Sequence, residues 1–185
     1  MKKVLLISSF IWLSLISYSQ KIDINNIDKF TGQHEISTSQ EALVKRNKWK
    51  NQWQQLLISL RNVDGEWLMP AFIELNEIEK YDENSQLLLR LDNGEVIILP
   101  TLYTGIGTEE CPIGLGGINS HVHGFSTVFP LTEENIKQLK YNEVTDVRIS
   151  PLGQNYDFEI SKKERSLIQK MINLIDKEIK NKASN

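Results

Sequence analysis

His121 and His123 are separated by one residue, so in an extended chain both imidazoles project to one side, a spacing that can chelate zinc or copper. A closed site needs more ligands, and His34, Glu109, Glu110 and Cys111 are of the right chemical type. The competing reading is structural, because Phe125 and Phe129 continue the same period of two and would make the histidines the rim of an apolar face. Both histidines belong to the stretch from Tyr103 to Phe125, which also holds the only cysteine and six of the ten glycines. There Gly105, Gly107, Cys111, Gly114, Gly116 and Gly117 mark a binding loop, since glycine permits positive φ and close backbone approach.

Other chemistries find less support in the same stretch. Gly105-Ile-Gly107-Thr-Glu-Glu110 departs from the dinucleotide fingerprint, no Gly-Lys-Ser/Thr follows Gly114, and Glu109 with Glu110 would repel a phosphate. Those same acids disfavour a thiolate at Cys111, and Ser120 lies in no Gly-x-Ser-x-Gly elbow. The pairs Asp82-Glu83 and Glu133-Glu134 fall in a turn and at a helix start, where solvation accounts for them. Asp23, Asn25 and Asp28 lack the glycine that a calcium loop places at its sixth position. The expectation is therefore a non-catalytic domain without a cofactor, with a zinc or copper site at His121 and His123 as the alternative.

The elements that must position these residues begin after residue 19. Lys2 and Lys3 precede an apolar run from Val4 to Ile16 and a small-residue site at Ser17-Tyr18-Ser19, the pattern of a signal peptide over 1–19. The run is shorter than the roughly 20 apolar residues that span a bilayer, so no membrane span is expected once the signal is removed. An exported chain, periplasmic or extracellular, would begin at Gln20 and form one domain over 20–185. It carries 19 basic and 24 acidic residues, unlike a nucleic-acid binder, and its one basic stretch, Lys45-Arg46-Asn47-Lys48-Trp49-Lys50, reads as a solvated connection between strands. Cys111 has no partner for an internal disulfide, so the core must hold the fold.

Residues 20–31 lack periodicity and read as a flexible lead-in. Gln33–Val44 reads as a strand followed by a loop. Leu56, Ile58 and Leu60, then Met69, Ala71, Ile73 and Leu75, alternate on either side of Asp64-Gly65 as in a hairpin, with Pro70 predicting a sheet edge or a bulge. Leu87, Leu89 and Leu91 approach Asn93-Gly94, expected as a type I′ turn, and the largely apolar return Glu95–Thr104 reads as a strand covered on both faces. Thr132 suits a helix N-cap, Val144–Ile160 forms a third hairpin, and Ser161 with Glu164 predicts a capping box for a final amphipathic helix. The class is α+β, mainly antiparallel β with about seven or eight strands in a sandwich or partly open barrel, a short helix and a C-terminal amphipathic helix.

The hairpins Val63-Asp64-Gly65-Glu66 and Leu89-Arg90-Leu91-Asp92-Asn93-Gly94-Glu95-Val96, followed by Phe129-Pro130-Leu131-Thr132-Glu133-Glu134-Asn135-Ile136, resemble small exported bacterial proteins of unassigned function. The resemblance implies an envelope or secreted domain, and the expected partner, a protein or envelope component bound through loops and an edge strand, is a separate reading. The resemblance implies no catalytic residues.

Overall fold

The structure is a computed structural model that describes residues 20–45, 54–75, 80–82, 84–102, 105–106, 109–113, 120–151 and 154–183, with 80–81, 105–106, 109–113 and 120–123 by their backbone pairing. The chain forms β1 (Ile22–Ile27), β2 (His34–Thr38), β3 (Glu41–Val44), β4 (Gln55–Ile58), β5 (Arg61–Val63) and β6 (Glu66–Leu75). β7 (Lys80–Tyr81), β8 (Gln86–Leu91), β9 (Val96–Pro100), β10 (Gly105–Ile106), β11 (Glu109–Ile113) and β12 (Ser120–Leu131) follow. Helix α1 (Glu133–Tyr141), β13 (Val144–Ser150), β14 (Tyr156–Glu159) and helix α2 (Leu167–Ala183) complete it.

All the described ladders are antiparallel, as expected. One eight-stranded sheet runs β1-β2-β5-β6-β12-β11, with β3 on β4 and β4 on β6, and a four-stranded sheet runs β14-β13-β8-β9. β7 and β10 pair with each other. Inward-facing residues Met69, Ile73, Leu87, Leu89, Phe129 and Val147 join Ile168, Met171 and Ile172 of α2 in one buried cluster. The sheets meet where Leu102 N donates to Val128 O at 3.0 Å and the Thr101 and Thr127 hydroxyls bond to each other. The predicted class is what the chain forms, a mainly antiparallel β structure with a short helix and a C-terminal helix.

Several local expectations are corrected. Residues Ile22–Ile27, expected within a flexible lead-in, form β1, because Asp28 closes a turn back to Gln33 and brings the chain onto β2. Pro70 lies inside the sheet rather than at an edge, since β6 has β12 on one side and β4 and β5 on the other. There is no bulge opposite it: Ile58 pairs with Ala71 and Arg61 with Leu68, an equal count on each strand. Pro70 O still accepts from Ser59 N at 3.0 Å, and Leu60 turns to β2, where its amide donates to Thr38 Oγ1. One missing rung, worth about 1 kcal/mol, is outweighed by burying the inward side chains of β6.

β9 is not covered on both faces. It lies at the end of the four-stranded sheet, with Val96 49% and Ile98 54% exposed while Ile97 and Leu99 are buried. The preceding turn is also different: Leu91 N donates to Glu95 O and Gly94 N to Leu91 O, with positive φ at Gly94 and not at Asn93. That is a three-residue connection with glycine in the left-handed position, not a type I′ turn. The type I′ geometry occurs instead at Asp64 (φ 49) and Gly65 (φ 98).

Thr132 caps α1 as predicted, its Oγ1 accepting from Asn135 N while Asn135 Oδ1 accepts from Thr132 N. At α2 the predicted capping box is replaced by turns over residues 162–166, and the helix starts at Leu167. Ser161 O accepts from the Glu164 and Arg165 amides, and its hydroxyl donates to the Glu164 carboxylate. That carboxylate also receives Lys45 Nζ at 2.7 Å, a link from the end of β3 to the approach of the helix that competes with capping.

Gly124 is required by packing, because a Cβ built there would lie 2.5 Å from Phe72 Cζ. Gly124→Ala should destabilise the fold by about 1–2 kcal/mol through overpacking. Most of that loss should vanish in a Phe72→Leu background, a coupling measurable by urea denaturation of the double-mutant cycle.

Candidate functional site

The histidine pair lies at the start of β12, which pairs there with β11 and, from His123 onward, also with β6. His121 is in register with Pro112, and His123 is in register with Glu110 on β11 and with Leu75 on β6. Positions 121, 123 and 110 therefore share one face of two neighbouring strands, while Cys111, opposite Val122, falls on the other. Much of what reads in the sequence as a glycine-rich loop is strand: Gly105 belongs to β10 and Cys111 to β11. Gly107, Gly114, Gly116 and Gly117 lie outside the described residues.

His34 cannot join this pair. Its backbone accepts from Asp64 N and its amide donates to Asp64 Oδ1, beside the turn where β6 begins, whereas His123 is opposite the last residue of β6. The ten residues of β6 at about 3.4 Å each separate the two by roughly 30 Å. Among the described residues no group of three or more His, Cys, Asp or Glu is arranged to hold a metal ion. Of the tryptophans, Trp67 packs against the core, and Trp49 and Trp53 lie outside the described residues.

A different region presents itself to solvent. Among the described residues β1 pairs with β2 alone, and five of its six residues are exposed. Ile24 (39% exposed) and Ile27 (49%) lie along it, and Phe30, 98% exposed, stands in the connection to β2. That connection is held in shape by one carboxylate: Asp28 Oδ1 accepts from Phe30 N at 2.8 Å and from Thr31 N at 2.7 Å. Gly32 N donates to Asp28 O, and Asp28 N donates to Gln33 O. The Thr31 amide, then the Phe30 amide and the Thr31 hydroxyl, hold the Asp28 carboxyl below the usual aspartate value.

Sequence reasoning missed Phe30 because Ile22–Ile27 has no alternation that a half-buried strand would show. The signal available was Asp28 followed four residues later by Gly32, a turn between two β-branched segments. A second exposed surface lies on the outer face of the four-stranded sheet, where a shallow cavity of about 330 Å³ is lined by residues including Leu88, Arg90, Val96 and Arg148. There Arg148 donates to both oxygens of Asp157 at 2.6 and 2.7 Å, which holds the Asp157 carboxyl below its usual value. The pairing leaves Arg148 engaged rather than available to a ligand.

A comparison with protein-family models, curated proteins and solved structures gives no match. No helix among the described residues is long and apolar enough to cross a membrane.

The Asp28 turn has a pH signature. Its pKa is depressed, so the stabilisation is present above the ordinary aspartate value and is lost as pH falls through the lower, folded one. The Phe30 and Thr31 amide resonances should shift together with the Asp28 carboxyl below the ordinary aspartate range. In Asp28→Ala both amides should lose hydrogen-exchange protection while the core amides of β6 keep theirs.

Proposed function

We propose that this chain is an exported, non-catalytic binding domain of the cell envelope that docks on a protein through the β1 edge and the Asp28–Gln33 connection. The observation that carries the reading is the phenyl ring of Phe30, bare to solvent on a turn already ordered by Asp28. Burying a phenylalanine is worth about 1.5–3 kcal/mol, and a turn ordered before binding loses little further entropy. Edge strand β1 supports the same reading: its outward amides and carbonyls can accept an extended segment, with Ile24 and Ile27 beside it. The leader at 1–19 supports export.

Phe30→Ala should leave the melting temperature unchanged and weaken partner binding by about 30-fold, the loss of an anchor worth about 2 kcal/mol. A photo-reactive residue at position 30, or at position 24, tests this in an envelope fraction. One discrete adduct competed by the unlabelled wild-type chain supports the reading, and equal competition by folded Phe30→Ala overturns it.

A second reading is a zinc or copper site at His121 and His123. The register that aligns Glu110 with His123 favours it, since three ligand-bearing positions then share one face. Equilibrium dialysis should find about one zinc or copper ion per chain at micromolar concentration. The ion should be lost in the His121→Ala, His123→Ala double variant and retained in Cys111→Ser.

A further inference from the structure

Between β1 and the last turns of α2 runs a groove of about 500 Å³, lined by Asn25, Asn26, Ile27, His34, Glu178, Asn181 and Lys182. Three of its side chains form a hydrogen-bonded chain across three elements. His34 Nε2 lies 2.9 Å from Asn25 Oδ1, and Asn25 Nδ2 donates to Glu178 Oε2 at 3.3 Å. Asn181 and Lys182 line the same groove from α2, three and four residues after Glu178 and therefore on its face of the helix. The last carbonyls of α2, which ends at Ala183, have no partner within the helix and add acceptors at this end.

The charge pattern narrows the ligand. A cation would be opposed by Lys182, and an anion by Glu178 and by the negative end of the helix dipole. An apolar ligand would strip water from the Asn181 amide and the Glu178 carboxylate without replacing their bonds. A neutral ligand dense in hydroxyl groups meets every group, because a hydroxyl both donates and accepts, as amide pairs and a carboxylate require. We infer that this groove is a binding site for a neutral oligosaccharide, held by Glu178, Asn181 and Lys182, with His34 and Asn25 fixing Glu178 in place. Ile27 supplies an apolar wall for the face of a sugar ring.

The probes are the neutral trimers of glucose and of N-acetylglucosamine, their monosaccharides, and glucuronic acid as an anionic control, each titrated into the full mature chain. The readout is the NMR signals of the His34 ring and the Asn181 amide. A saturable shift with a neutral sugar is expected, at least tenfold weaker in Asn181→Ala and in Glu178→Gln. The shift should be unchanged in Phe30→Ala, which separates this site from protein docking at the hairpin. Response to the trimers alone assigns a polymeric glycan as the source, and response to the monosaccharides as well assigns free sugars. No shift with any neutral sugar at about 10 mM, well above a millimolar Kd, overturns the inference. So does an equal shift in both groove variants, or a response to glucuronic acid only.

Discussion

The ladder between β6 and β12 is the constraint on which the other elements depend. It runs from Trp67 opposite Leu131 to Leu75 opposite His123 without a shift in register. Met69, Ala71, Ile73 and Leu75 are all buried, so a slip of one residue would turn that set outward and Phe72 inward. The cost of such a slip fixes the register more firmly than any single hydrogen bond. That firmness is why Pro70 is tolerated in an interior strand: one rung is missing, but the side chains above and below it leave no alternative alignment.

Everything else is placed relative to this pair. β4 and β5 follow the free edge of β6, β2 follows β5, and β1 follows β2. On the other side β12 takes β11 at its start and receives Leu102 at Val128, which brings the four-stranded sheet against the first. The helices are then held by burial of Ile168, Met171, Ile172 and Ile175, with polar links at their margins. Lys140 bonds to Asp176 between α1 and α2, and Lys45 to Glu164 at the approach to α2. With Lys45 more than half exposed, the second link orients the segment more than it stabilises it.

The residues that were legible in the sequence are those whose periodicity reports burial on one face. Leu87, Leu89 and Leu91, the Met69–Leu75 alternation and the α2 stripe all translate directly into the core. The failures share a cause, which is that composition does not report neighbours. Val96 and Ile98 are as apolar as Ile97, yet they stand outside because they fall on the uncovered outer face of the four-stranded sheet, with Arg90 and Arg148. Ser161 and Glu164 have the spacing of a capping box, but the Glu164 carboxylate is drawn to Lys45, distant in sequence. The same limit applied to the site: His34 and His123 are plausible partners by chemistry and stand at opposite ends of β6 in space.

The placement of the exposed groups follows from the same geometry. β1 is the last strand reached from the β6–β12 pair on its side, so its outer backbone groups gain no partner in the described sheet. An edge of this kind is a liability unless it is charged, covered or used. Here the covering is partial: α2 reaches β1 through Asn25 and Glu178, Ile24 and Ile27 stay part-exposed, and Phe30 is bare to water. Spending two aspartate-held amides to order a loop around a fully exposed phenyl ring gives the isolated chain nothing in buried area. The arrangement makes physical sense when the ring is buried by something else, and the rigidity of the β6–β12 frame lets a hairpin at its far margin be shaped for that contact without disturbing the core.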